Sequence, residues 1–220
     1  MPRINVNKDV KDLNRQQAEK NREIFLENAV FTINIIGSPG AGKTTLLENI
    51  LPILAKKYRI CVIEGDLETD NDAERIRKAN IQAVQINTNG GCHLDAFMIA
   101  KELKALDLAN KDLLIIENVG NLVCPTGFDL GEDMRIVVMS IAEGDDKPKK
   151  YPVAVVNTDA IVLTKTDLLP YIDADIEKMR KTIFEIKPEI KLFETKKASS
   201  IYEANELIAH IEKSINTKSR

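Results

Sequence analysis

Gly37-Ser38-Pro39-Gly40-Ala41-Gly42-Lys43-Thr44 is the stretch on which the reading of this chain turns. It fits G-x-x-x-x-G-K-[ST] and lies where that motif has a use, between an apolar run (FTINII, 31–36) and a helix-forming run (TTLLENILPIL, 44–54). Glycines let the backbone wrap closely, so that successive N–H groups point at one anion. The following helix adds the positive end of its dipole. Such a loop is suited to a nucleotide's phosphates, with Gly37 to Thr45 as the cradle. Lys43 is placed to reach the β- and γ-phosphates as a point charge, and the Thr44 hydroxyl to ligate Mg²⁺.

Working outward, short β-rich runs alternate with helical ones. Strands are predicted over 30–36, 59–64, 81–86, 112–117, 135–141, 160–164 and 190–193. Helices are predicted over 43–57, 72–79, 94–107, 173–187 and 200–214, with a weakly amphipathic leading helix over 8–29. Continuous apolar strands such as DLLIIEN (112–118) imply burial on both faces. The expected fold is α/β: a mostly parallel seven-stranded sheet flanked by helices, of the phosphate-loop class. Residues 1–29 read as an N-terminal helical arm and 30–220 as the nucleotide domain. EGDDKPKKYP (143–152), dense in charge and with two prolines, reads as an exposed insertion.

Composition removes several alternatives. With 220 residues, 44% hydrophobic and 30% charged, the chain can build one full core without disulfides. Its three cysteines are an odd number, so a reducing cytoplasm is the expectation. The polar, mixed-charge start does not resemble a secretory signal, and no run is long and apolar enough for a membrane. A formal net charge of -3 provides no general attraction for nucleic acid or anionic lipid.

Local groups must therefore carry the chemistry. Asp66 and Asp72, in EGDLETDND (64–72), place carboxylates after the second strand, where a Mg²⁺ shell or an attacking water could be held. Glu117-Asn118-Val119-Gly120 offers a further carboxylate for Mg²⁺ and a glycine N–H for the γ-phosphate, the form of a nucleotide-sensing switch. Catalysis is expected of Lys43, Thr44, Asp66 and Glu117. Thr164-Lys165-Thr166-Asp167 is close to the N-K-x-D pattern of guanine-specific proteins. Asp167 could accept from guanine's ring N1–H and exocyclic amine, each charged hydrogen bond contributing about 1.5–3 kcal/mol, while Lys165 lays its stem on the base. Thr164 replaces the usual Asn, one hydroxyl in place of an amide. No glutamine is evident to orient water and Arg75 and Arg77 are not assured fingers, so turnover should be slow.

Cys92, His93 and Cys124 offer two thiolates and an imidazole, a set suited to Zn²⁺, or to Ni²⁺ in a flatter geometry. Proximity to a helix N-terminus would lower a thiol's pKa. Spacing alone leaves two unrelated thiols and a capping histidine equally open. Cys61, inside a strand, and His210, near the last helix's end, read as structural.

The motifs GSPGAGKTT (37–45), EGDLETDNDAERI (64–76), GCHLDA (91–96), ENVGNLVCP (117–125) and EGDD (143–146) resemble the HypB family, GTPases of [NiFe] hydrogenase maturation. The resemblance covers nearly everything from residue 30 onward. It implies a dimerising, GTP/GDP-switched (SIMIBI-type) fold, with nickel or zinc held near the homodimer interface by Cys92, His93 and Cys124. It also implies a nickel-delivering HypA-type accessory protein and the [NiFe] hydrogenase large subunit as partners. The cysteine-rich N-terminal nickel motif and histidine-rich stretch of some members are missing. Urease accessory GTPases, with Cys-Pro-His where this chain reads Cys92-His93, and partitioning-type ATPases are the competing readings.

Overall fold

A computed structural model describes residues 6–66, 71–77, 79–198 and 201–218. In chain order the elements are α1 (Val6–Glu27), β1 (Phe31–Gly37), α2 (Lys43–Leu54), β2 (Ile60–Asp66), α3 (Asn71–Arg77), β3 (Gln82–Asn87), α4 (Ala96–Glu102), β4 (Leu113–Glu117), β5 (Met134–Ser140), α5 (Lys147–Lys150), α6 (Pro152–Val156), β6 (Ala160–Thr164), α7 (Ile176–Ile186), β7 (Lys191–Glu194), β8 (Lys196–Ala198), β9 (Ile201–Glu203) and α8 (Asn205–Lys218). The main sheet has seven strands in the order β3-β2-β4-β1-β5-β6-β7, and every pairing in it is parallel. The expected α/β architecture is thus observed.

Strand alternation sorts the core into two faces. Leu113 and Ile115 pack with the α2, α3 and α8 side chains Leu47, Ile50, Ile76, Leu207 and Ile211. Leu114 and Ile116 point the other way, onto Phe25 of α1 and Ile99 of α4. The same second face continues under α6 and α7, where Met139, Ile161 and Leu163 meet Val155, Met179 and Ile183. β1, β4 and β6 are buried throughout, as parallel strands covered by helices on both sides must be.

Three expectations change. The segment over 94–107 is helical only to Glu102; two 3₁₀ turns follow, at Leu103–Ala105 and Leu108–Asn110, where Asn110 Nδ2 donates to Asp107 Oδ2 at 2.6 Å and favours a turn. The helix expected over 200–214 starts at Asn205, because Ile201–Glu203 pairs antiparallel with Lys196–Ala198; Ser200 lies outside the described residues. The stretch 143–152 is no exposed insertion: Pro148 is buried, and Asp145 accepts from Asp175 N and Lys178 Nζ. Among the described residues no helix is long and apolar enough to cross a membrane.

α1 is stitched to the loops beside the sheet by side chains that satisfy backbone groups. Asn14 donates to Asp129 O and accepts from Ala96 N, both at 2.8 Å. The fully buried Asn21 donates to Ala96 O at 2.8 Å and Leu130 O at 3.1 Å. Burial would raise the Asp129 pKa, but the Gly131 N–H and Arg22 outweigh it and hold the carboxyl below its ordinary value of 3.8. The ionised form therefore supports the fold fully above that pH, and its contribution is lost as pH falls through the lower folded value. Asn21→Leu should cost about 1–3 kcal/mol in urea denaturation, because it strands two buried carbonyls while adding apolar area. An unchanged urea midpoint would show that α1 is not held in this way.

Candidate functional site

The nucleotide-type cradle is formed where β1 ends in the middle of the sheet, between β4 and β5. Ligands of open parallel sheets bind beyond the strands' carboxyl ends at such a position. Gly40 and Gly42 have φ of 73° and 95°, the left-handed turn that lets the loop curl back over its own N–H groups. A side chain at Gly37 would strike Val138 O at 2.7 Å, so β5 enforces glycine there as well. The loop opens onto a cavity of about 400 Å³, whose walls include Lys43, Thr44, Asp66, Arg75, Gly120 and Lys165.

Glu117 is almost fully buried in its floor. Thr44 Oγ1 donates to Glu117 Oε1 at 2.8 Å, and Lys43 Nζ lies 4.0 Å from the same oxygen and 3.4 Å from Gly37 O. A cation, a hydroxyl and a carboxylate thus share the floor, which fits a bound phosphate and its Mg²⁺. Asp66, at the end of β2, reaches the same cavity. Asp72 belongs to α3, but its side chain lies outside the described residues, as do Leu67 to Asp70. Arg75 borders the cavity with its guanidinium held by Glu48 at 2.6–2.8 Å.

On the opposite wall Thr164 Oγ1 donates to Ala41 O at 2.6 Å. The hydroxyl that replaces the usual amide therefore braces the cradle directly. Lys165, itself at φ 61°, places Nζ 2.8 Å from Gly40 O. Asp167 sits in the 3₁₀ turn that follows, beyond the cavity walls. Ser38, by contrast, donates its hydroxyl to Glu143, which also pairs with Lys147 at 3.0 Å. Glu143, expected in an exposed loop, is instead a brace for the cradle.

Cys92, His93 and Cys124 converge: their candidate ligand atoms lie within 4.8 Å of one another. They do so from loops, since α4 starts only at Ala96 with Asp95 as its cap. Cys92 Sγ is 3.5 Å from His93 Nδ1, and the His93 ring stacks on Phe128 at 3.9 Å between centroids. Burial lowers the His93 pKa, which favours the neutral, ligating ring. At Cys124 the hydrogen bond with Cys92, then burial, pushes the thiol pKa up. A metal would have to displace that proton. Cys61 lies apart, buried in β2, its thiol pushed up to about 12 by burial.

The residue that sequence reading passed over is Asn118. It is 1% exposed, and its Oδ1 accepts from Leu94 N and Val119 N, both at 3.0 Å. Its only sequence signal was its position between a carboxylate and a switch glycine.

Against known proteins, residues 31–194 match the family model for the CobW/HypB/UreG nucleotide-binding domain. The hydrogenase maturation factor HypB of Azotobacter vinelandii is 42% identical over 217 residues, 99% of this chain and 71% of that protein. The chain belongs to the HypB family. The Escherichia coli K12 HypB is 47% identical over 86% of this chain, which spans 65% of it. Among solved structures, HypB from Archaeoglobus fulgidus superposes with a TM-score of 0.86 at 39% identity, covering 93% of this chain and all of that one. HypB from Helicobacter pylori in complex with nickel gives 0.84 at 36% identity, covering 94% and 95%. The signal recognition particle receptor FtsY of Elizabethkingia anophelis, 13% identical with a TM-score of 0.55, shares the fold of this HypB-family chain.

Two outcomes follow from the geometry. Thr164→Val should weaken nucleotide binding about tenfold in a fluorescent-nucleotide titration, since the Ala41 carbonyl loses its partner, worth about 1.4 kcal/mol. Alkylation of the native protein at neutral pH should label Cys92 and Cys124 and spare Cys61, as read by peptide mass; early labelling of Cys61 would contradict its burial.

Proposed function

We propose that this chain is a GTPase that hydrolyses GTP to GDP and phosphate and couples that cycle to holding and releasing nickel for [NiFe] hydrogenase. The observation that carries the reading is the convergence of Cys92, His93 and Cys124, the last of them four residues past Gly120 in the cavity wall. In this reading residues 37–45 wrap the phosphates, and Lys43 exchanges Gly37 O for phosphate oxygens. Thr44, Glu117 and Asp66 would hold Mg²⁺, Asp72 is assigned to cofactor binding from the sequence alone, and the Gly120 N–H would meet the γ-phosphate. Lys165 and Asp167 select guanine, which requires Asp167 to face the base. Nickel or zinc is cargo, held by the Cys92, His93 and Cys124 ligands.

Loss of the γ-phosphate relaxes Glu117 to Gly120. That loop leads straight to Cys124, and a bridge between Asn121 and Gly37 ties it to the cradle. A homodimer completes the metal's ligand set, a HypA-type protein delivers nickel, and the hydrogenase large subunit receives it. Residues 1–29 form an arm on the 30–220 GTPase unit. Arg75 is engaged by Glu48, which supports slow intrinsic turnover.

Nickel titration under GDP and under a non-hydrolysable GTP analogue, with oligomer mass read in parallel, tests the scheme. Cys92→Ala and Cys124→Ala should each lose more than about tenfold in nickel affinity, since even groups outside the ligand set are worth 10- to 100-fold. Wild-type affinity that is equal in both nucleotide states would sink the coupling. Asp167→Asn should cost GTP affinity by about 10- to 100-fold, the equivalent of about 1.5–3 kcal/mol, while leaving ATP affinity unchanged.

A further inference from the structure

We propose that Asn118 is the positioning residue through which the nucleotide cavity sets the geometry of the Cys92, His93 and Cys124 cluster; this rests on the coupled reading above. Asn118 follows Glu117, and its own N–H donates to Ile35 O at 2.9 Å, so its backbone is fixed to β1. Its carboxamide oxygen is shared by two backbone donors, Val119 N of the switch and Leu94 N of the metal loop, each at 3.0 Å. One atom therefore joins the residue before Gly120 to the residue after His93. A displacement of Val119 changes the position of the acceptor on which Leu94 hangs.

Leu94 has no slack to absorb that change. It is fully buried, and a Cβ built at Gly65 would lie 2.7 Å from its side chain, so β2 presses on it from the other side. The amide end of Asn118 drives a second branch. Nδ2 donates to Asn34 Oδ1 at 3.2 Å, and Asn34 Nδ2 donates to Glu132 Oε1 at 3.0 Å. That carboxylate accepts from Arg135 Nε at 2.8 Å, and Arg135 donates onward to Thr126 O at 3.1 Å and Phe128 O at 2.9 Å. Phe128 carries the ring that stacks on His93, and Thr126 lies two residues past Cys124. Both loops of the cluster thus hang from one side chain. A carboxamide serves both branches because it accepts at one end and donates at the other, and the shared oxygen is the part that joins Val119 to Leu94. Satisfied, buried bonds of this kind have discrete arrangements instead of elastic ones.

The test compares nickel affinity in the full-length protein with saturating GDP and with saturating GTP analogue, the ratio being the coupling factor. Nickel–thiolate charge-transfer absorption confirms the ligand set in each state. Wild type should show a factor of at least about 5, the low end for coupled sites. Asn118→Ala should bring the factor to within about twofold of unity, with the thiolate absorption retained. Asn118→Asp keeps the oxygen that Leu94 and Val119 share and should stay coupled. If the alanine variant does not fold, Asn118→Leu, which fills the volume without polar atoms, takes its place with the same expectation. A wild-type factor of one overturns the coupled reading itself. A coupled wild type with an equally coupled alanine or leucine variant, or an uncoupled aspartate variant, overturns the role of Asn118 alone.

Discussion

Thr44 Oγ1 donates to the buried Glu117 carboxylate at 2.8 Å, and most of the architecture around the cavity is organised by that contact. A carboxylate taken out of water is tolerated only where donors and a cation meet it. Here they come from the first turn of α2, so the helix that follows the cradle and the strand beside it must keep one relative position. Parallel register fixes the rest: Ile35 lies opposite Glu117, and Gly37 lies opposite Val138 on the other side. The close approach of β5 excludes a side chain at Gly37, and the cradle can therefore curl only in the direction that opens toward Asp66 and Gly120.

From this fixed floor, short polar connections run outward in place of apolar packing. Asn118 serves the loop of Cys92 and His93, Asn121 Oδ1 accepts from Val123 N and Cys124 N, and Glu143 braces Ser38. Asn14 and Asn21 add α1 to the same set. Carboxamides recur because they satisfy a backbone donor and a backbone acceptor at once, and irregular loops beside a sheet end leave both kinds of group unpaired. The loops that carry Cys92, His93 and Cys124 are thereby held without belonging to any helix or strand.

The sheet was legible in the sequence because its signals are local and redundant: a glycine-rich turn, continuous apolar strands and helical runs between them. Boundaries drifted where long-range packing decides, as at Leu103 and Leu108, whose burial is met by 3₁₀ turns instead of a continued helix. The β8–β9 ribbon escaped notice because two three-residue strands carry no periodicity. Charge density misled at 143–152, since Asp145 and Glu143 find partners on α7 and the cradle that only the fold brings near. The convergence of Cys92 with Cys124 could not be read from a separation of 32 positions in the chain; β3 to β4 topology creates it. Asn118 is the clearest case: its type says nothing, while its side chain's three hydrogen bonds define it.

The strand order has a consequence for how the protein is made. β1 is synthesised early, yet its two neighbours are β4 and β5, whose partners for Ile33 are Ile115 and Met134. Pairing across such distances is slow, because loop closure must precede the contacts that reward it. On a ribosome the cradle cannot have both walls until roughly the first 140 residues have emerged, a matter of seconds at about 5–20 residues per second. Cys92 and His93 leave the ribosome before Cys124 and before the strand that delivers Asn118. The nascent chain thus passes through a stage that owns one thiol and the imidazole but neither a nucleotide floor nor the second thiol.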